Sequence, residues 1–87
     1  MISVAILGAG NVATHLYKAF SKAENININQ WFNRNINTIA SYKNKVDIID
    51  DLSLLKDADV YIIAVSDDAI SDLVDQLPFE NRLIVHT

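Results

Sequence analysis

The sequence predicts an α/β domain built on an open parallel sheet, and two observations carry that prediction. The chain begins with Ile2 to Leu7, a run of small and branched apolar residues. It then passes through Gly8-Ala9-Gly10-Asn11-Val12-Ala13 directly into a helical pattern. From there to Thr87, strand-like apolar runs alternate with helix-patterned or turn-forming segments, the order of parallel strands joined by crossovers.

Ile2 to Leu7 reads as a buried first strand. The turn after it has the small residues that a phosphate-binding strand–turn–helix needs. Gly8 permits the tight turn. Gly10 has no side chain, so a pyrophosphate can approach the backbone. Ala13 lets the helix pack closely on the strand. The helix N-terminus then offers free N–H groups and a partial positive charge to phosphate. The helix is expected over about Val12 to Lys22, with Val12, Leu16, Ala19 and Phe20 facing the sheet. His15 lies one turn in, with no acidic or nucleophilic partner near it in sequence, and reads as a surface or packing residue.

Ile28 to Asn33 is the second strand, with Trp31 and Phe32 supplying bulk. Its end matters chemically. In NAD-specific folds an acidic side chain there accepts hydrogen bonds from the ribose 2′-hydroxyl. No Asp or Glu occurs between Asn25 and Lys45; Arg34 stands between Asn33 and Asn35 instead. A guanidinium can hold a 2′-phosphate in bidentate fashion, and the missing carboxylate removes a repulsion. NADP is therefore expected over NAD.

Asn35 is placed to cap a helix over about Ile36 to Lys43, with Ile39 and Ala40 inward. Val46 to Ile49 is a short third strand at the sheet edge. Asp50-Asp51 opens a helical turn through Leu55, where acids suit a helix N-terminus and Leu52 and Leu55 are the buried pair. A metal site at that acid pair is not expected, because no further ligands cluster nearby. Asp59 to Val65 is the fourth strand, nearly continuous in apolar residues as interior parallel strands are. The crossover rule sets it beside the first strand. Ser66 or Asp67 caps a helix over about Asp68 to Leu77 with Ile70, Leu73, Val74 and Leu77 packed, and Pro78 ends it. Nothing makes Asp67 a general base. Leu83 to His86 is the fifth strand, with His86 and Thr87 on the side where open parallel sheets bind ligands. The expected whole, residues 1–87, is a three-layer Rossmann-type domain with a five-stranded parallel sheet in the order 3-2-1-4-5.

Composition agrees. The 87 residues are 51% hydrophobic and 21% charged, suited to one globular domain and not to disorder. With a net charge of -4 there is no basic surplus, so neither nucleic acid nor an anionic membrane is an expected partner. Without cysteine there is no disulfide, thiolate metal site or cysteine nucleophile. The first apolar run is too short to span a bilayer and no basic leader precedes it, so a cytoplasmic location is expected.

With these residues laid out, the chain resembles the N-terminal half of a family of bacterial Rossmann-like oxidoreductases, similar to pyrroline-5-carboxylate reductase and the deazaflavin-dependent NADP oxidoreductases. The resemblance rests on VAILGAGNVATHL (Val4 to Leu16), WFNRN (Trp31 to Asn35), DADVYIIAVSDDAI (Asp57 to Ile70) and LIVHT (Leu83 to Thr87). It implies pyrophosphate on Gly8, Ala9, Gly10, Asn11 and Val12, and 2′-phosphate contacts from Asn33, Arg34 and Asn35. It also implies that Val65 and Ser66 line the cofactor, with the nicotinamide near His86 and Thr87. Family members commonly continue into a helical second domain that builds the substrate site and often a homodimer. A small-molecule substrate is thus expected to be met through a domain absent from these residues, which alone should be inactive. No catalytic residue carries over. The expected role is the NADP(H)-binding domain of an oxidoreductase acting on an imine or carbonyl substrate. The alternative is a non-catalytic NADP-binding sensor, and an α/β interaction module is disfavoured by the glycine turn and Arg34.

Overall fold

The computed structural model describes residues 2–8, 10–64 and 83–86. They form strands β1 (Ile2–Leu7), β2 (Ile26–Phe32), β3 (Asp47–Ile49), β4 (Val60–Ile63) and β5 (Leu83–His86), with helix α1 (Asn11–Ser21) between β1 and β2. The five strands pair in parallel in the order β3-β2-β1-β4-β5, as the sequence predicts. Chain order runs outward from β1 to β3 and then jumps to β4 on the other side. The reversal lies between β1 and β4, where open α/β sheets form a ligand crevice at their C-terminal ends.

Both faces of the sheet are covered. Val4, Ile6, Trp31 and Ile62 pack with Ala13 and Tyr17 of α1 on one face, whereas Ala5, Leu7, Phe32, Tyr61 and Ile63 pack with Leu55 and Ala58 on the other. This two-sided burial is why β1 and β4 read as near-continuous apolar runs rather than alternating ones.

The inward stripe of α1 differs from the expected one. Val12 is 53% exposed and Ala19 is exposed, while Ala13 and Tyr17 are buried and Leu16 and Phe20 are partly buried. Residues 13, 16, 17 and 20 recur at one-turn spacing, so they share a face. Tyr17 sets the rotation. Its ring stacks on Trp31 with centroids 5.0 Å apart and planes 21° apart, and it meets Tyr42 edge-on at 5.0 Å. An aromatic body with a polar tip buries as well as a leucine does, and that outweighs the branched residue at position 12.

Strand β2 starts at Ile26, earlier than expected, and ends at Phe32 rather than Asn33. It carries a bulge: Val4 pairs with Ile28 but Ala5 pairs with Gln30, leaving Asn29 as the extra residue. The bulge changes which side chains face α1. Ile26 and Ile28 lie on the α1 face before it and Trp31 after it, in place of strict alternation. Gln30 and Phe32 are thereby carried to the opposite face.

Gln30 is buried and fully used there. Its Nε2 donates to Asp47 Oδ2 and to the Leu54 carbonyl, each at 3.0 Å, and its Oε1 accepts the Lys56 N–H at 2.7 Å. One side chain thus ties β2 to β3 and to the crossover before β4. Replacing Gln30 with leucine keeps the bulk and strands those backbone groups. The expected loss is about 2–3 kcal/mol, since an orphaned buried polar group costs roughly 1–3 kcal/mol. Urea unfolding followed by circular dichroism measures it, and a change below about 0.5 kcal/mol would show that water replaces the amide without cost.

The expected helix over Ile36 to Lys43 is instead two short 3-10 turns, Ile36–Thr38 and Ala40–Tyr42. The segment is brief, and the β-branched Ile36, Thr38 and Ile39 crowd its first half, too weak a sequence to nucleate an α-helix. Asn35 does cap it, its Oδ1 accepting the Asn37 N–H at 3.1 Å, and Ile39 is buried. Strand β3 begins at Asp47, one residue after Val46, and lies at the sheet edge as expected. The turn after it spans only Leu52–Leu54. Asp51 caps that turn at 2.9 Å from the Ser53 N–H; that backbone bond, and then the Ser53 side chain, hold its carboxyl below the usual carboxylate range. Strand β4 spans Val60–Ile63; at its base Asp59 Oδ2 accepts the Ser3 N–H at 2.9 Å.

The expected helix at 68–77, its caps Ser66 and Asp67, its stop at Pro78, and Ala9, Val65 and Thr87 lie outside the described residues. Among the described residues no helix is long and apolar enough to cross a membrane.

Candidate functional site

The site is assembled at the C-terminal ends of β1 and β2. β1 delivers the chain to Gly8, which is buried and has φ 119°, a conformation that only glycine adopts without strain. Two consecutive residues of β2 hold Gly8. Its N–H donates to the Phe32 carbonyl at 2.7 Å, and its carbonyl accepts the Trp31 indole N–H at 2.6 Å. On the other side of β1, the Ala64 N–H donates to the Leu7 carbonyl at 2.8 Å and extends the β1–β4 pairing one residue past the end of β4.

Gly10 then starts α1. It has φ 100° and ψ -170°, and among the described residues a Cβ built on it would meet nothing within 4 Å. The described residues leave the space above this backbone open. Gly10 accepts the Thr14 N–H on its carbonyl at 3.0 Å, but no side chain caps the first turn and no acidic residue lies in it. Asn11 and Val12 are exposed there. The turn therefore presents an uncapped, positively polarised helix end into free space, the requirement for binding a phosphate.

The loop after β2 lies beside this turn, joined to it through Trp31 and Phe32. The Asn33 N–H donates to the Ile49 carbonyl at 3.1 Å, and Asn33 Nδ2 donates to the Asn35 carbonyl at 2.8 Å. With the Asn35 cap, these bonds fix the backbone around Arg34. Arg34 itself is exposed, and among the described residues its guanidinium has no ion-pair partner. An exposed guanidinium with no carboxylate partner among the described residues suits an external anion.

The turn holding Gly8, Gly10, Asn11 and Val12 and the loop holding Asn33, Arg34 and Asn35 thus leave from adjacent strand ends, joined at Gly8 through Trp31 and Phe32. The structure does not describe Ala9, Val65, Ser66 or Thr87, nor the side chain of His86. The His86 backbone pairs with Ile63, at the C-terminal end of β5. Sequence reading missed Trp31 as part of the site. Its only signal was a lone tryptophan placed just ahead of the Asn33–Asn35 loop. The bulge that aims it leaves no trace in residue types. Among the described residues no three His, Asp or Glu groups come together as metal ligands.

Comparison with known proteins agrees with the geometry. Residues 3–87 match the family described as NADP oxidoreductase, coenzyme F420-dependent. A crystal structure from Bacteroides fragilis, provisionally assigned as an NADP oxidoreductase, is similar with a TM-score of 0.82 and 29% identity over 99% of this chain. This chain spans 35% of the length of that structure. No curated protein matches.

Proposed function

The chain belongs to the family of coenzyme F420-dependent NADP oxidoreductases as an NADP-binding domain, and from that premise we propose how its residues serve the reaction. Backbone N–H groups from Gly8 to Val12 hold the pyrophosphate. Arg34, steadied by Asn33 and Asn35, holds the 2′-phosphate. By resemblance to the family, Val65 and Ser66 would line the dinucleotide, and His86 and Thr87 would be the residues nearest its nicotinamide. Bound there, NADPH would supply a hydride for reduction of an imine or carbonyl compound. The protein's share is to bind and orient.

The observation that carries this reading is the start of α1 at Gly10. A backbone that only glycine can adopt there leaves open the volume that a Cβ would occupy, at an uncapped helix end beside the sheet's reversal point. On this reading the 87 residues hold the cofactor. Walls that select and enclose the substrate come from a further domain of the full oxidoreductase, which also supplies any homodimer contact. Turnover of imines or carbonyl compounds by these residues alone is not expected.

Titration calorimetry of the 87-residue chain with NADPH and with NADH tests the reading. NADPH should bind about ten- to a hundredfold more tightly, the worth of one charge-assisted contact. Equal affinities would remove the 2′-phosphate assignment, and binding of neither would remove the dinucleotide assignment.

A further inference from the structure

We propose that Trp31 is a positioning residue for the dinucleotide: its indole N–H sets the peptide plane that enters the glycine turn, and so the direction of the donors offered to the pyrophosphate. The inference rests on the NADP(H) reading above and goes beyond it, because Trp31 touches the turn and not the ligand.

The first observation is the hydrogen bond from Trp31 Nε1 to the Gly8 carbonyl at 2.6 Å, made by a fully buried indole. Glycine's backbone has no Cβ to restrict it, so sterics alone do not choose an orientation for the peptide that follows Gly8. A trans peptide carries its N–H on the side opposite to its carbonyl. Holding the Gly8 carbonyl on the fully buried indole keeps that oxygen turned inward. Released, the plane could rotate and show a carbonyl oxygen, which repels phosphate, where an N–H is needed.

The second observation is the bulge at Asn29. Without that extra residue, strict alternation from Ile26 and Ile28 would put residue 30 on the α1 face and turn residue 31 away from it. Bulges near functional sites re-aim side chains in this manner. The third is the clamp on the ring. Tyr17 and Tyr42 each lie 5.0 Å from the indole, one stacked and one tilted, so the N–H has little freedom to leave Gly8. Phenylalanine could fill an apolar space. Only a ring bearing a donor can also hold Gly8.

The chain has a single tryptophan. Expression in a tryptophan auxotroph with β-(3-benzothienyl)alanine therefore changes position 31 alone, keeping ring shape and stacking while deleting the N–H. Affinities are measured for NADPH and for adenosine 2′-monophosphate, which lacks the pyrophosphate. NADPH affinity should fall about tenfold, the scale of one hydrogen bond, while adenosine 2′-monophosphate affinity stays within about twofold. Trp31→Phe should show the same split, with its melting temperature recorded because the smaller ring costs stability. If NADPH affinity is unchanged in a folded chain, or if both ligands weaken equally, the proposal is overturned. If the unsubstituted chain binds neither ligand, the NADP(H) reading fails first and the proposal with it.

Discussion

Gly10→Ala is expected to weaken NADPH binding by at least a hundredfold while leaving a folded domain. At φ 100° and ψ -170° an L-residue is strained by about 1–3 kcal/mol. Among the described residues the new methyl group clashes with no atom, because none lies within 4 Å of its position. Stability therefore changes through the backbone alone. In a domain of this size the melting temperature should drop by roughly 4–8 °C for each kcal/mol. Binding suffers twice. The methyl group stands where the phosphate would approach, and relaxation of the strained turn moves the N–H donors. Loss of two charge-assisted hydrogen bonds, at about 1.5–3 kcal/mol each, exceeds a hundredfold in affinity. Calorimetry with NADPH and thermal unfolding of the same sample separate the two effects. If the alanine variant binds within about threefold of the unsubstituted chain, pyrophosphate does not lie over Gly10.

The same residues show why the fold and the turn were legible in the sequence while other features were not. The glycine turn is encoded by residue type. Positive φ at Gly8 and Gly10 requires glycine, and close packing of α1 on β1 requires a small residue at Ala13, which is fully buried. Strand order follows from apolar runs and the handedness of crossovers, both local or general. The expected inward stripe of Val12, Leu16, Ala19 and Phe20 leaves out Tyr17, whose burial depends on Trp31 and Tyr42, distant in sequence. The helix expected over Ile36 to Lys43 failed for a related reason. Its cap was present in Asn35, but a cap cannot extend a segment whose propensity and length sustain only 3-10 turns. The bulge at Asn29 is least legible. It is a property of the pairing between β1 and β2, and its effects on Gln30 and Trp31 appear only when both strands are in place. Features encoded by one residue's conformational needs can be read from the chain; features encoded by register cannot.

Arg34→Glu should invert the cofactor preference, moving the ratio of NADH to NADPH dissociation constants by at least about a hundredfold. The unsubstituted guanidinium contributes roughly 1.5–3 kcal/mol toward a phosphate. The substitution removes that attraction, adds repulsion of the 2′-phosphate, and supplies a carboxylate that can accept from a ribose 2′-hydroxyl. The three effects act in one direction. Arg34 is exposed and lies in a loop whose backbone is held by Asn33 and Asn35, so the fold should not notice the change. A melting temperature within about 2 °C is expected, in keeping with surface substitutions that disturb no buried group. Arg34→Gln serves as the intermediate, losing the charge without gaining an acceptor anion, and its ratio should fall between the other two. Salt offers an independent check. Because Arg34 is exposed, the preference of the unsubstituted chain for NADPH should shrink as ionic strength rises from about 0.01 M to 1 M, over which the screening length falls from about 30 to 3 Å. A ratio that ignores both the glutamate and the salt would mean that the 2′-phosphate is read elsewhere. Arg34 would then be a solvated loop residue whose place at the end of β2 is incidental.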